Sequence, residues 1–312
     1  MHTGKKMRPP PTPRLDAKDR QVLHELDADS GRSLSEIGKK IKLNRDVMHY
    51  RVKRLENSKV IAGYKLEVDY GKLGYLLGGL RLTLKNDDAK TRKKMIDFYK
   101  NKKEVVFVFE MNGKIEMGFL GGNISEVRKK QKEFSGVFRR YFKEVEQIVY
   151  TGKWYFRIGK KKFVYGNEKI ADEMDEKIIR LLLKNAKTPH KEISKMLGIS
   201  AGQVNYRIKG MEKKKIILKT RALIDLDKMG VEKYRLKITL EDFSALGDVI
   251  DYLSENAVEG YDGIGLSDFE CDIEVGGYSE MIELADGLKS RFSGKIRQVE
   301  NCRYNYISNI SK

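Results

Sequence analysis

Hydrophobic residues recur with helical spacing in two neighbouring segments near the start of the chain. The second segment follows Asn44, a good N-cap, and three apolar residues share one face of it at i, i+4 and i+7: Met48, Val52 and Leu55. The preceding segment opens with a capping box formed by Ser33 and Glu36. Only three residues separate the two predicted helices, and a glycine-interrupted strand follows at 60–66. This order predicts a helix-turn-helix with a β-ribbon, as in winged variants.

The same pattern occurs a second time. A shift of 156 residues aligns 35–84 with 191–240 without a gap, and 15 of the 50 pairs are identical. The three core positions recur as Val204, Ile208 and Met211. Chance gives roughly one identity in twenty, so we infer an internal duplication that has to be recognised before the fold is assigned.

A different pattern follows each helix-turn-helix. The order of elements is strand, helix, strand, strand, helix, strand, which is the ferredoxin-like arrangement. The predicted fold class is therefore α+β, a tandem duplication of a winged helix-turn-helix followed by a ferredoxin-like βαββαβ domain. The predicted segments are a disordered basic arm (1–14), winged helix-turn-helix 1 (15–70), αβ domain 1 with a basic extension (71–166), a linker (167–173), winged helix-turn-helix 2 (174–226) and αβ domain 2 (227–312).

Several local signals fix expected boundaries. Asn112-Gly113 predicts a tight hairpin turn between two strands of the first αβ domain. Ser125 is expected to cap a helix that runs to Phe142, and a strand is expected at 145–150. In the second helix-turn-helix, Thr188 is the expected N-cap, with the following proline in the first turn.

The charge of the chain is large and unevenly distributed. The net charge is +18, yet residues 226–312 carry 10 basic and 17 acidic residues, which leaves 53 basic and 28 acidic residues, net +25, in 1–225. A basic field of that size favours a polyanionic partner, although solubility alone also explains a high charge count. Two isolated cysteines, Cys271 and Cys302, predict neither a zinc site nor a disulfide, and no apolar run approaches the length of a membrane span. We therefore expect a cytoplasmic, nucleoid-associated protein without a metal or other cofactor.

The segment from Leu15 to Gly74 closely resembles the winged helix-turn-helix of the Lrp/AsnC family of prokaryotic transcription regulators. The matching positions in the first repeat are Leu15, Asp16, Asp19, Arg51, Leu55, Glu56, Val60, Ile61, Gly63, Tyr64, Leu73 and Gly74. In the second repeat Lys219 replaces the glycine of the ribbon, and the matching positions are Met174, Asp175, Leu197, Gly198, Ser200, Arg207, Glu212, Ile216, Ile217 and Gly230. The resemblance implies two fused family members, with duplex DNA as the partner and with αβ domains for assembly and sensing.

The exposed faces of the two recognition helices carry the predicted DNA-binding residues: Arg45, His49, Tyr50, Arg51, Lys53, Gln203, Asn205, Tyr206, Arg207 and Lys209. Arg45 and His49 lie one turn apart on the first helix and are expected to reach base edges, with Arg45 suited to guanine. On the second helix Gln203 and Asn205 are suited to adenine. The tyrosine and lysine of each set are expected at phosphates. For Arg51 and Arg207 two roles stay open, a phosphate contact or an anchor of the fold. Gln203 also has a competing role, since it can form a capping box with Ser200.

The αβ domains depart from the family in an informative way. Members commonly carry a Gly-x-x-Asp motif near an amino-acid effector site, and Gly113 and Glu116 form a loose match. The alternative is that Gly113 makes only a hairpin turn and Glu116 is a surface strand residue. In the second repeat Asp268 and Glu270 lie in the corresponding region, but no glycine starts the motif.

Two rival functional classes are weighed against a regulator. The basic field also suits a non-specific architectural chromatin protein. A branch of the same fold comprises tetrapyrrole decarboxylases with histidine- and arginine-containing motifs in the αβ domain. The four histidines here, at positions 2, 24, 49 and 190, all lie outside the αβ domains. We therefore expect no enzyme activity and no catalytic residues.

The two repeats are expected to form an intramolecular pseudo-dimer through their αβ domains, and pairing of whole chains into homo-oligomers stays open. The apolar residues expected at the contact are Val106, Val108 and Tyr150 in the first repeat and Ile264, Ile273 and Val299 in the second.

Overall fold

The computed structural model describes residues 14–309 apart from 87, 159, 160 and 167. The predicted arm (except residue 14), two residues of the predicted basic extension and the start of the predicted linker lie outside the described residues. The described chain divides into two compact units. Unit 1 comprises 14–64 and 221–230, and unit 2 comprises 65–220 and 231–309.

Unit 1 contains the first helix-turn-helix. Its helices are α1 (Ala17–Asp29), α2 (Leu34–Ile41) and α3 (Arg45–Asn57). The predicted caps are confirmed: Asn44 accepts from the backbone of Val47, and Ser33 forms a capping box with Glu36. The predicted apolar face of α3 is buried against α1 and α2, which fixes the opposite face toward solvent.

The two ribbons pair with each other. Strand β1 (Ile61–Val68) and strand β7 (Ile217–Ile224) form a two-stranded sheet. In unit 1 the core of the first helix-turn-helix includes Ala222 and contacts Ile224 and Met229, all of which come from the second repeat. Each winged module is thus completed by apolar side chains from the other repeat.

Unit 2 contains the second helix-turn-helix, which shows the reciprocal exchange. Its helices are α6 (Glu173–Lys184), α7 (His190–Leu197) and α8 (Ala201–Lys213). Their core includes Leu66, Val68 and Leu73 of the first repeat. The predicted cap at Thr188 is wrong: Pro189 holds the N-cap position without a side-chain hydrogen bond, because the Thr188 hydroxyl donates to the Asn185 carbonyl instead.

Unit 2 also contains both αβ domains. The first comprises β2 (Leu76–Leu84), α4 (Ala89–Lys100), β3 (Val105–Met111), β4 (Lys114–Gly121), α5 (Ile124–Val137), β5 (Phe142–Tyr155) and β6 (Lys161–Val164). The second comprises β8 (Glu232–Leu240), α9 (Leu246–Leu253), β9 (Ala257–Ile264), β10 (Phe269–Val275), α10 (Tyr278–Arg291) and β11 (Ile296–Asn309). The predicted ferredoxin-like order is confirmed in both repeats.

The two sheets join at both edges. Within each repeat the strands lie in the order fourth, first, third, second, and β3 pairs with β11 while β9 pairs with β5. Since β2 also pairs with β5, eight strands close into a ring, and β6 extends it at β5. The two αβ domains therefore form one joint sheet, and the expected pseudo-dimer is confirmed.

Two boundaries of the first αβ domain differ from the prediction. The helix expected from Ser125 to Phe142 is capped by Asn123 and ends at Val137, because a 3₁₀ turn at Arg139–Tyr141 leads into the next strand. That strand, β5, is also much longer than the expected 145–150, since it continues through the basic extension to pair with β9 and β6.

Strand alternation separates an apolar layer from a charged one. Residues such as Leu80, Leu82 and Met117 pack under the helices, whereas Arg81 and Glu116 point to the opposite, inner face, where they are also buried. The predicted apolar contact between the repeats is therefore largely wrong. Its members Val108, Ile273 and Val299 belong to the helix-covered cores, Ile264 is exposed, and Val106 and Tyr150 lie in a small separate cluster.

Candidate nucleic-acid interface

The two recognition helices, α3 and α8, present matching solvent-exposed faces. On α3 the exposed residues include Arg45, His49, Tyr50 and Lys53, and on α8 they include Gln203, Tyr206 and Lys209. Tyr50 and Tyr206 occupy equivalent positions and are 66% and 80% exposed, which is unusual for large aromatic side chains. Asn205 is half-buried. The structure thus brings the predicted base and phosphate residues of each set onto one open helix face.

Arg51 and Arg207 act as anchors between helices. The Arg51 Nη1 atom donates to Asp16 at 2.8 Å and to Asp19 at 2.7 Å, and Arg54 also pairs with Asp19. In the second module Arg207 Nη1 donates in the same way to two carboxylates at the start of α6, at 2.7 and 2.8 Å. The hydrogen bond from Arg51 lowers the pKa of the Asp16 carboxyl. Of the two roles left open by the sequence, this geometry favours the anchor of the fold.

The capping box restricts what Gln203 can do. Its side-chain oxygen accepts from the Ser200 backbone N–H at 2.9 Å, while the Ser200 hydroxyl accepts from the Gln203 N–H. Recognition of adenine by glutamine uses the side-chain oxygen and nitrogen together. Gln203 would have to leave its cap to do so, and Asn205 is therefore the better placed of the two residues.

Two lysines that the sequence analysis did not predict as functional cap the C-terminal ends of the recognition helices. In unit 1 the Lys228 ammonium donates to the carbonyls of Ser58 and Lys59 at 3.0 and 3.1 Å. In unit 2 Lys72 donates to the carbonyls of Lys214 and Lys215 at 2.9 and 3.4 Å.

A cation at a helix C-terminus satisfies free carbonyl groups and the negative end of the helix dipole. Lys72 and Lys228 are one of the 15 identical pairs, so the signal was present in the duplication. Each lysine belongs to the opposite repeat from the helix that it caps.

A buried ion pair distinguishes the first module from the second. The Arg221 guanidinium donates to the Asp27 carboxylate at 2.7 and 3.1 Å and to its backbone carbonyl at 3.0 Å. Both side chains are buried. At the equivalent positions of the duplication stand Lys65 and Leu183, so the second module has no matching pair. The two modules are therefore held by different forces despite their common fold.

The inner face of the joint sheet holds a group of buried charges that we call the central ion cluster: Arg81, Glu116, Arg235, Glu270 and Asp272. Arg81 donates to Glu116 at 2.7 Å and to Glu270 at 2.6 Å. Arg235 pairs with Asp272 and reaches Glu116 and Glu270 at 3.3 and 3.4 Å. The contact from Arg81 to Glu270 lies between the two repeats and joins residues 189 positions apart.

Two carboxylates of this cluster, Glu116 and Asp272, have lowered pKa values despite their burial. Burial raises the pKa of Glu116, but the positive charges of Arg81 and Arg235 outweigh that effect and hold the pKa below its ordinary value of 4.5. The pKa of Asp272 is likewise lowered, because Arg235 and Lys233 overcome the effect of burial. Buried charges are tolerated only when such partners are in place, so the cluster depends on both repeats.

The predicted effector residues have separate locations. Gly113 occupies the hairpin turn with φ +68°, which fits its alternative role as a turn residue. Glu116 is fully buried rather than on the surface, so that alternative is wrong for Glu116. Its oxygens accept from Arg81, from Arg235 and from the Tyr150 hydroxyl at 2.9 Å. An amino-acid effector that bound the Glu116 carboxylate would have to displace one of these donors. Effector binding therefore stays a prediction.

Metal-binding groups and membrane-spanning helices are both missing from the part of the chain that the structure describes. No group of three histidine, cysteine or acidic side chains there is arranged to hold a metal ion. No helix in the described ranges is long and apolar enough to cross a membrane. Cys271 and Cys302 are both free and buried.

Comparisons with known proteins place these elements in a family. Residues 15–56 match the AsnC-type helix-turn-helix domain, and residues 172–217 match the winged helix-turn-helix DNA-binding domain. The regulatory protein AsnC of Haemophilus influenzae is 39% identical over 61 residues, 20% of this chain and 41% of that protein. LrpC of Bacillus subtilis is 38% identical over 89 residues, 28% of this chain and 62% of that protein. An uncharacterised HTH-type transcriptional regulator of Pyrococcus furiosus is 31% identical over 103 residues, 33% and 68% of the two chains.

A solved structure covers nearly the whole chain. The siroheme decarboxylase NirDL superposes with a TM-score of 0.62 over 93% of this chain and 91% of that chain, at 12% sequence identity. This likeness shows the shared fold. Fold and recognition helices together define a tandem winged helix-turn-helix protein with paired αβ domains. The chain belongs to the Lrp/AsnC family, as two family units in one polypeptide.

Proposed function

We propose that this protein is a DNA-binding transcription regulator that places its two recognition helices in the major groove. The observation that carries the proposal is the repeated exposed face of α3 and α8, on which Tyr50 and Tyr206 stand open to solvent beside Lys53 and Lys209. Side chains on such a face reach phosphates and base edges when the helix lies in the groove. The match of the first repeat to the AsnC-type helix-turn-helix domain and of the second repeat to a winged helix-turn-helix DNA-binding domain supports the same use.

The two helices differ at the positions expected to read bases. In the first, Arg45 and His49 lie one turn apart, and the duplication replaces them with Ala201 and Asn205. Arginine prefers the acceptors of guanine, and asparagine prefers adenine. We therefore propose that one chain binds two different half-sites, so that the operator is less palindromic than for a homodimer of identical modules.

Selection of bound sequences from a random duplex pool tests this proposal. The wild-type chain is expected to yield one recurrent motif with unlike halves. Arg45→Ala should relax the preference at one base position of one half. Lys53→Ala or Lys209→Ala should instead weaken binding to every duplex similarly and reduce the slope of log affinity against log salt by about one.

The selection also separates the rival class. A non-specific architectural protein would enrich no motif, and its affinity for unrelated duplexes would be nearly equal at each salt concentration. A motif with strict two-fold symmetry, bound by a single chain, would contradict the unlike half-sites. A change of preferred sequence in Lys53→Ala, with the salt slope intact, would contradict the phosphate assignment.

We further propose that the αβ domains are not catalytic. Their sequence contains no histidine for general acid–base chemistry, and the carboxylates of the central ion cluster are engaged by Arg81 and Arg235. NirDL has been crystallised with an iron-uroporphyrin III analogue. Titration of this chain with the same analogue should leave the absorbance spectrum of the porphyrin unchanged, and a saturable shift at equimolar ligand would contradict the proposal.

A further inference from the structure

The outer helices of the two αβ domains carry opposite charge. Helices α4 and α5 of the first domain contain nine basic and three acidic residues. The equivalent helices of the second domain, α9 and α10, contain two basic and five acidic residues. Both pairs cover the same kind of sheet with the same strand order. The fold therefore accepts either sign of charge on this surface, and the positive charge of the first pair is not a requirement of folding.

Helices α4 and α5 form one continuous surface. Their buried sides meet through Phe98 and Phe138, with ring centroids 5.3 Å apart, and the Tyr99 hydroxyl donates to the Phe134 carbonyl at 2.9 Å. The opposite sides of both helices face solvent. Five exposed lysines lie on these sides and define what we call the basic face: Lys90, Lys93, Lys94, Lys129 and Lys132.

The five lysines of the basic face form no ion pairs within the described part of the protein. Two of the three acidic residues of these helices have other partners: Asp97 pairs with Lys100, and Glu126 accepts from the Gly122 backbone at 2.8 Å. The third, Glu133, is exposed beside Lys132 and forms no ion pair in the described part of the chain. Among the described residues, none of the five lysines lies within ion-pair distance of a carboxylate. Lys93 also interacts electrostatically with Asp97, but basic residues outnumber acidic ones by nine to three on these helices. Such an excess of positive charge creates a field that attracts a polyanion.

We infer that the basic face is a second DNA-binding surface, which contacts the phosphate backbone without reading sequence. The inference rests on the proposed DNA-binding function and adds a surface to it that lies outside the helix-turn-helix modules. Lysine suits this role because its ammonium is a mobile point charge that meets phosphates without the fixed geometry needed for bases. DNA is favoured as the occupant because the recognition helices already bring it to the chain.

The test measures binding of the full chain to a long duplex at several salt concentrations. The variant carries Lys94→Gln, Lys129→Gln and Lys132→Gln, all at exposed helix positions that leave the core intact. Each lost phosphate contact should reduce the salt slope by about 0.9, so the triple variant should lose up to about three units of slope. The sequence preference should stay unchanged, because the recognition helices are intact.

A matched control removes the same charge from the other αβ domain. Lys289→Gln, Arg291→Gln and Lys295→Gln alter three exposed cations near α10 and should leave the slope close to the wild-type value. Equal loss of slope in both triple variants would show an effect of net charge alone and would overturn the inference.

The remaining outcomes distinguish this inference from the proposed function. If Lys53→Ala reduces the slope but the basic-face variant does not, the recognition helices bind DNA and the basic face does not. If the wild-type chain binds no duplex, both proposals fail together. If the basic-face variant changes only self-association in sedimentation experiments, the occupant is the acidic outer surface of a second copy, and the DNA assignment is wrong.

Discussion

Arg81→Met is expected to destabilise unit 2 by about 3–5 kcal/mol at neutral pH. The substitution removes the guanidinium that lies between Glu116 and Glu270 but leaves both carboxylates buried. Loss of one partner from a buried ion pair costs this much because the remaining charge has lost its compensation. Urea unfolding followed by the fluorescence of Trp154, the single tryptophan of the chain, measures the change, since Trp154 packs against the core of the second αβ domain.

The loss of stability caused by Arg81→Met should become smaller as the pH falls. In the wild-type protein the pKa of Glu116 lies below its ordinary value, so this group contributes stability that is lost as the pH falls. Loss of Arg81 removes two of the effects that lower the pKa of Glu116, so this pKa should be higher in the folded variant than in the folded wild-type protein. The variant should then lose less stability than the wild-type protein as the pH falls. The two proteins should therefore differ less at about pH 4.5 than at pH 7.

An exposed ion pair provides the control for Arg81→Met. Arg297 and Glu241 pair at 2.8 Å on the surface of the second αβ domain, with side chains 63% and 55% exposed. Arg297→Met should change stability far less than Arg81→Met does, because water solvates the remaining carboxylate. A similar decrease in the free energy of unfolding for both variants would contradict a dominant role for the central ion cluster. So would a loss of stability in Arg81→Met that increases as the pH falls.

Arg221→Met should destabilise unit 1 by about 3–5 kcal/mol while leaving unit 2 folded. The change removes the guanidinium that binds the buried Asp27 through two side-chain contacts and one backbone contact. Hydrogen exchange should accelerate at the amides of α1 and α3, and binding to the half-site of the first module should weaken. Exchange in α6 and α8, which lie in unit 2, should change little.

The internal duplication supplies the control for Arg221→Met. Lys65 occupies the equivalent position in the first repeat, where it pairs with Glu67 while remaining partly exposed. Lys65→Met should cost less than about 1 kcal/mol and leave hydrogen exchange unchanged in α6, the equivalent helix in its own unit. Uniform acceleration across α1 and α6 in Arg221→Met would show that the two modules unfold together rather than separately.

Both predictions concern the way in which the repeats complete each other. Lys228 and Lys72 cap recognition helices of the opposite repeat, and apolar residues of each ribbon enter the core of the opposite module. The ends of both recognition helices are thus fixed by residues more than a hundred positions away. Fusion into one chain places these complementary parts at a high effective concentration.

The sequence by itself determined the local elements and their repetition. Apolar residues at helical spacing identify the buried side of α3 and α8 because that spacing places them on one face. Asn44 and Ser200 mark helix starts because their side chains accept from the following turn. The duplication follows directly from identity at a fixed shift. These signals depend only on residues near one another in the chain, which is why the helix-turn-helix modules and the order of the αβ elements could be predicted.

Only the tertiary structure decided which surfaces are buried and which residues act together. Arg81 and Glu116 stand at alternate strand positions, and such a pattern is typical of a solvent-exposed face. They are buried because their counter-charges, Arg235 and Glu270, arrive from the other repeat when the two sheets close. The same limit applies to Arg51. Its position in the sequence is compatible with a phosphate contact, and only the structure shows that it donates to Asp16, the N-cap of α1. The free-energy cost of burying a charge depends on its partners, and here the partners are far away in the sequence. The local pattern therefore could not predict that these charged residues are buried.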